Sequence, residues 1–536
     1  MSKFSKFSKK ATVEYRGFED AQVVNFMEGI SYRVNPLSTL KIVAGSSIFG
    51  EPSYYRDSHD APKYVGQLFP WAMNFEFHDK ATTTDVFAEV VDNALNYDFK
   101  ATLDLAAELR HTYFMRLNPA FILVRAAMHK DRVEFARKNG NYLRKTGLSI
   151  ILRPDDITNQ FDLFMYFNKS KNGLPSVLKR IWKEKLEGFT RYQLNKYKSS
   201  ALIDLVRICH ARNEIIDELM KTGKITVSDE EKTWENLRSA NLSWPEIFKT
   251  THIPHMALLR NLRNILCKEK DQKISPNFAT EVLNQLKAGV EKGKQFPFRY
   301  FSAYNEIKKA DCFHSARIQD ALEECLDISI QNFPKMRGKT ICLSDNSGSA
   351  WGAIPSEYGS VTVAQIANLS SIITALQSDE GYVGVFGDEL SIRGVSQRNG
   401  ILTQLEEISD LGKKQGQLTE HGIWLFFSAA IAKKEWYDHI FIYSDMQAGH
   451  GRLFGDDASQ YTDYIHKGSY IDVLKLILAY RKAVNPKVNI YSVQVAGYDN
   501  SAVPENLYRT AILTGWTGKE VIFANYMQKF WDEAAC

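Results

Sequence analysis

Two hydrophobic rhythms divide this chain. Up to about residue 340, apolar positions recur every three or four residues, as in Asp85-Val86-Phe87-Ala88-Glu89-Val90-Val91-Asp92-Asn93-Ala94-Leu95 and in Val177-Leu178-Lys179-Arg180-Ile181-Trp182 running on to Leu186. That spacing gathers the apolar side chains on one face of a helix. Ser275-Pro276 ahead of Asn277 to Val290 is a helix start, with Ser as the cap and Pro in the first turn, and Gly173, Gly188, Gly223 and Gly293 mark helix ends. Helix pairs of this size, with no β-rich stretch between them, predict an α-solenoid in which each pair packs on its neighbours. No exact sequence period accompanies the pattern, so the expectation rests on element size and spacing.

Beyond residue 340 the rhythm changes to short, continuous apolar runs. Thr340-Ile341-Cys342-Leu343, Tyr382 to Gly387, Ile440 to Ser444 and Val488 to Val495 read as buried strands, with Val521-Ile522-Phe523 as a short last one. Helical runs over 364–376, 423–431 and 471–483 lie between them. Strands alternating with helices predict an α/β doubly wound parallel sheet.

Charge changes at the same place. Residues 340–536 hold 15 Lys and Arg against 22 Asp and Glu, a net of −7, whereas residues 1–339 hold 52 against 41, a net of +11. The overall +4 therefore hides a basic body joined to an acidic head, and a basic body argues for a polyanionic partner. At 536 residues the chain is too long for one core. We divide it into a basic flexible tail (1–20), a mainly α helical-repeat domain (21–339) and the α/β domain (340–536). Cys209, Cys267, Cys312, Cys325, Cys342 and Cys536 form no Cys-x-x-Cys pair and no zinc spacing with His, which reads as ordinary reduced thiols of a cytoplasmic protein. The lysine-rich start lacks the apolar stretch of a signal peptide, and no apolar run reaches the roughly 18 residues of a membrane span.

The chemistry concentrates where the first strand of the second rhythm ends. Ser344-Asp345-Asn346-Ser347-Gly348-Ser349 places one carboxylate and two hydroxyls on a strand-exit loop, where open α/β sheets keep their ligands. Asp345, Ser347 and Ser349 are an all-oxygen set suited to a hard divalent cation, Mg²⁺ or Mn²⁺, which needs further oxygens to complete its coordination. Thr419 stands at a loop-to-helix junction, and Asp445 at the end of the Ile440–Ser444 strand. Asp-x-Ser-x-Ser, then Thr, then Asp, on three strand-end loops in that order, resembles the metal-ion-dependent adhesion site of a von Willebrand factor A domain.

A helical basic body followed by such a domain resembles the Ro autoantigen family, whose helical module is shared by telomerase-associated, Ro and vault proteins, and is closest in character to its bacterial members. Leu194-Asn195-Lys196-Tyr197-Lys198 with Asp204-Leu205-Val206-Arg207-Ile208-Cys209-His210 is similar to the family's Thr-Lys-Tyr-Lys and Asp-Leu-Leu-Arg-Leu-Ser-His segment. Met256 to Leu262, Phe296-Pro297-Phe298 and Thr514 to Ile522 match three more landmarks, so the resemblance runs from about Val65 onward. It implies a monomeric ring of HEAT-like helical repeats closed by the A domain. It also implies a basic hole that takes single-stranded 3′ ends of misfolded RNA, an outer face that binds a small non-coding Y-like RNA, and work alongside a 3′-exoribonuclease. The family's Y RNA contacts fall on Lys196, Lys198 and His210, while one further basic position lands near Ser199 or Ser200, a departure from the family pattern.

The residues support RNA contact in their own right. Lys196, Lys198, Arg191, Arg207 and Arg212 interleave with Tyr192 and Tyr197, supplying phosphate contacts beside stacking faces. Arg110, His111 and Arg116, with Arg125, Lys130 and Arg132 beyond, are the candidates for lining a hole. No nucleophile with a base and no phosphate loop is visible, so the expected role is a non-enzymatic RNA-binding scaffold. The alternative is a metal-dependent protein-adhesion or co-chaperone adaptor. A nuclease built on Asp345 and Asp445 lacks the third and fourth acids that two-metal sites use.

Overall fold

A computed structural model of the chain describes residues 22–24, 30–46, 83–112, 115–169, 172–226, 233–267, 274–293, 295–310, 312–331, 333–352, 361–416, 420–446, 465–466, 470–471, 473–495, 500–504, 507–514 and 520–533. They fall into two compact units, one formed by the described residues between Asn35 and Asn236, the other by those up to Val34 and from Leu237 onward. The expected basic tail at 1–20 lies outside the described residues.

The first unit is helical, and its helices begin and end where the local chemistry dictates. Ser176–Gly188 buries Leu178, Ile181, Trp182 and Leu186, the three-and-four spacing read from the sequence. Ser199 caps Ser200–Cys209 by accepting from Leu202 N, Asn213 caps Glu214–Thr222 by accepting from Ile216 N, and Gly223 closes that helix in the left-handed region at φ 68°. Helices Phe99–His111, Leu117–Met128, Tyr142–Ile150 and Pro154–Phe167 pack side by side. Two buried residues, Gln160 and Trp182, join neighbouring helices through a 2.7 Å indole hydrogen bond.

In the second unit, Ser275 caps Pro276–Ala288 as expected, but the helix breaks at Gly289 and resumes as Val290–Gly293. The break serves packing. A methyl group at Gly289 or Gly293 would meet the His255 ring at 2.7 or 2.4 Å, and His255 itself is buried with Nε2 2.9 Å from the Tyr300 hydroxyl.

Eleven strands are described: β1 (Gln22–Val24), β2 (Ile30–Arg33), β3 (Met336–Asp345), β4 (Ser378–Phe386), β5 (Leu390–Gly394), β6 (His439–Ser444), β7 (Ile465–His466), β8 (Tyr470–Ile471), β9 (Asn489–Gln494), β10 (Asn500–Ser501) and β11 (Thr510–Thr514). Six of them form one sheet in the order β11-β9-β6-β3-β4-β5. All its neighbours run parallel except β4 and the edge strand β5, which are antiparallel. Order reverses at β3, the point from which the chain winds both ways and where such sheets open a crevice. Helix Val363–Leu376, nearly all of it buried, covers β3 and β4. Ile341, Leu343, Ile440, Ile442 and Ile490 enter the core shared with Phe426, Phe427 and Tyr480.

Three expectations are corrected. Val521, Ile522 and Phe523 lie in the helix Glu520–Glu533, because Val521 and Ala524 are buried one turn apart while Ile522 and Phe523 face out; the last strand is β11. Cys267 and Cys312 are not free thiols but a disulfide with Cα atoms 5.3 Å apart, two residues 45 positions distant that helix packing brings together. Cys209, Cys325 and Cys342 are free and buried, and burial pushes the Cys209 thiol up to about 11. Finally, the boundary read at residue 340 falls inside β3, and the sheet's compact unit reaches back to Leu237. Glu323, on helix Ser315–Ile330, explains part of that reach: its carboxylate accepts from Leu402 N at 2.6 Å and Thr403 N at 3.3 Å, capping helix Ile401–Gly412.

Candidate metal centre and nucleic-acid interface

β3 and β6 deliver Asp345 and Asp445 to the same edge of the sheet. Ser344 pairs with Tyr443 across the two strands, so Asp345 ends β3 as Asp445 follows β6. Both are buried, Asp345 fully and Asp445 at 3 % exposure. A buried carboxylate is expensive unless donors surround it. Here Ser444 Oγ donates to Asp345 Oδ2 at 2.5 Å, and Ser347 N donates to Asp345 Oδ1 at 2.9 Å, the short turn that Asp-x-Ser favours. Ser347 Oγ lies 3.1 Å from Ser349 Oγ, which donates to Asp445 Oδ2 at 2.9 Å. Asp345, Ser347, Ser349 and Asp445 thus form one run of contacts, and Thr419 lies outside the described residues.

This donor set could hold a hard divalent cation. It offers carboxylate and hydroxyl oxygens with no soft sulfur or imidazole in the run, the preference of Mg²⁺ or Mn²⁺. Among the described residues no group of three or more His, Cys, Asp and Glu is arranged to hold a metal ion, so hydroxyls must complete any such site.

Two residues that support the loop escape a motif search. Ser444 is signalled only by its place before Asp445, and Asn368 only as a polar residue in the apolar helix Val363–Leu376.

The sequence-derived basic residues separate into engaged and open groups. Lys196, in the short helix Arg191–Lys196, makes an ion pair with Glu235 at 3.0 Å and a hydrogen bond to the Tyr192 hydroxyl at 3.2 Å, and stands 6.0 Å from the Tyr197 ring centre. Partial burial opposes its charge, but the bonds to Glu235 and Tyr192 together raise its pKa above the ordinary lysine value. The Arg153 guanidinium lies 5.2 Å from the centre of the same Tyr197 ring, so cations and tyrosines interleave on one surface. Lys198 Nζ donates to Gly223 O at 2.8 Å, and Arg207 pairs with Asp204 one helical turn back at 3.3 Å. His210 is exposed and holds a left-handed backbone, φ 53°, at the C-cap of Ser200–Cys209.

Arg110 and Arg116 are structural cations. Arg110 is 7 % exposed, with Nη2 2.9 Å from Asp156 Oδ2 and Nη1 donating to Met115 O at 3.0 Å. Arg116 reaches Asp156 Oδ1 at 2.9 Å and Asp155 Oδ2 at 2.6 Å. Both clamp the first turn of Pro154–Phe167, where carboxylates already favour the helix dipole. Of that cluster His111 remains exposed at a helix end.

Comparison with known proteins follows this geometry. Residues 217–327 match the family model of the TROVE domain. That stretch includes the landmarks Met256 to Leu262 and Phe296 to Phe298 and begins just after Lys196, Lys198 and His210. No curated protein matches the chain. Among solved structures, the crystal structure of the Ro (RSR) protein of Deinococcus radiodurans superposes with a TM-score of 0.54 at 13 % identity, covering 88 % of this chain and all of that one. The chain carries a TROVE-domain match in its helical part, and its fold is that of a bacterial Ro protein.

Proposed function

We propose that this protein is a Ro-like RNA-binding scaffold with no chemistry of its own. The TROVE-domain match over 217–327, in a chain with the Ro fold, is the observation that carries the reading. The net +11 of residues 1–339 supports it, because a basic body binds polyanions by releasing their counterions. A small Y-like RNA takes the surface of Lys196, Lys198, Arg207 and His210, where Tyr192 and Tyr197 offer stacking faces. Single-stranded 3′ ends of misfolded RNA bind elsewhere on the basic body, where His111 and Lys130 are exposed among the hole-lining candidates.

In this reading the Asp345 loop, Ser347, Ser349, Thr419 and Asp445 hold one Mg²⁺ or Mn²⁺, which supplies an open coordination position for a partner's carboxylate or a water. In this reading the protein works as an adaptor to a 3′-exoribonuclease. Incubation with single-stranded RNA and Mg²⁺ leaves the RNA intact, while an added 3′-exonuclease degrades structured RNA differently in the presence of the protein and its small RNA. Cleavage that follows the protein and vanishes in Asp345→Ala would make it a nuclease.

A further inference from the structure

Helix Val363–Leu376 reads Val-Ala-Gln-Ile-Ala-Asn-Leu-Ser-Ser-Ile-Ile-Thr-Ala-Leu, and Asn368 lies in its middle with no exposure at all. An amide is costly in such a place unless every polar atom is satisfied. Asn368 meets that condition entirely through the Asp345 loop and one neighbouring helix. Its Oδ1 accepts from Ser344 Oγ at 2.6 Å and from Asn346 Nδ2 at 2.9 Å. Its Nδ2 donates to Asn346 Oδ1 at 3.1 Å and to Ser409 Oγ at 3.4 Å.

The two residues flanking Asp345 are therefore held by one side chain. Asn346 is fixed further, its backbone N–H donating to Phe386 O at 2.8 Å and its Nδ2 to Ser344 O at 3.0 Å. Gly412 completes the enclosure, since a methyl group there would lie 2.0 Å from Asn346 Oδ1. From the opposite side Ser444 Oγ and Ser347 N grip the carboxylate itself.

We propose that Asn368 is a positioning residue for the candidate metal centre, orienting Asp345 through its paired amide contact with Asn346. The inference rests on the metal reading of the loop. Partners behind metal ligands fix ligand orientation, and their loss typically weakens metal affinity by about 10- to 100-fold.

Mn²⁺ affinity of the full chain, measured by isothermal titration calorimetry together with melting in EDTA, tests this. Asn368→Ala is expected to weaken Mn²⁺ binding by about 10-fold or more. Ser371→Ala serves as the control: it lies on the same helix, and its buried hydroxyl has no hydrogen-bond partner among the described residues. It should bind Mn²⁺ as the unaltered protein does. Because Asn368 acts through Asn346, the double variant Asn346→Ala/Asn368→Ala should bind no more weakly than Asn346→Ala alone. Gly412→Ala, which presses on the same amide from another helix, should reproduce the loss and supplies the readout where Asn368→Ala fails to fold. Unchanged affinity in Asn368→Ala or Gly412→Ala, or losses that multiply in the double variant, would overturn the positioning role. Absence of Mn²⁺ binding by the unaltered chain would overturn the metal reading and this inference with it.

Discussion

Asp156 illustrates how one side chain decides the fate of two neighbouring cations. It is 3 % exposed, accepts from Arg110 and Arg116, and also from the backbone of Leu152 and Arg153 at 3.0 and 3.1 Å. Removing one member of a buried ion pair strands the other, at a cost of about 3–5 kcal/mol. Asp156→Ala should therefore destabilise the first unit by about that amount in urea unfolding, and a change below ~1 kcal/mol would show that Arg110 finds water instead. The sequence could show Arg110 and Arg116 as cations near each other, but the acid that absorbs them lies some forty residues on and becomes a neighbour only when the helices pack. Lys196 shows the same lesson at the surface. Glu235 occupies the Lys196 ammonium that the proposed RNA interface would offer to a phosphate, so Glu235→Gln is expected to tighten binding of a structured small RNA several-fold at low salt, while unchanged or weaker binding would remove Lys196 from the interface.

At the scale of elements, the packing of His255 against Gly289 and Gly293 links sequence, helix breaking and pH. Burial lowers the His255 pKa below the ordinary imidazole value, so the unfolded chain takes up its proton at a higher pH than the folded one. The stability tied to neutral His255 is thus complete above about pH 6.5 and declines as pH falls toward the folded pKa. Melting temperature should drop between about pH 7 and pH 5, and His255→Gln should flatten that drop; an equal slope in both proteins would assign the acid response elsewhere. Asp327 works in the opposite sense. Burial, aided by Glu323 and Glu324, raises its pKa to about 6, so its charged form opposes folding above that pH and protonation relieves the opposition below it. Asp327→Asn should raise the melting temperature at pH 7 and lose that advantage near pH 4; a gain of equal size at both values would exclude ionisation as its source.

Legibility at this scale followed the periodicity. Thr83–Tyr97 and Ser176–Gly188 were readable because each carries an unbroken helical period, and Val363–Leu376 and β6 because each is a largely continuous apolar run. β11 and the edge strand β5 were not, since Thr-Ala-Ile-Leu-Thr and Leu-Ser-Ile-Arg-Gly are short and mixed, and only pairing with β9 and β4 makes them strands. Asp345, Ser347, Ser349 and Asp445 were legible as a motif because three lie within five residues and the fourth ends a strand. Asn368 and Ser444 were not, because their role is defined by contacts across elements.

For the whole molecule, the proposed function assigns different tasks to the acidic and basic parts of the chain, and each task has its own test. Metal binding should stabilise by mass action in proportion to the logarithm of cation concentration over its dissociation constant. Mg²⁺ should raise the melting temperature of the unaltered protein, and Asp345→Ala should abolish that rise while leaving RNA affinity in place; an undiminished rise in the variant would refute the site. RNA binding, in contrast, should belong to the basic body and respond to salt. Each phosphate neutralised adds roughly 0.7–0.9 to the slope of log affinity against log salt, so several contacts together change affinity by orders of magnitude between about 50 and about 200 mM. The affinity of the full chain for a structured small RNA across that salt range, compared with Lys196→Ala/Lys198→Ala, tests the scaffold reading most directly. A steep fall is expected for the unaltered protein, with weaker binding and a slope lower by about two in the variant, whereas a flat salt response, or identical curves for both proteins, would contradict it.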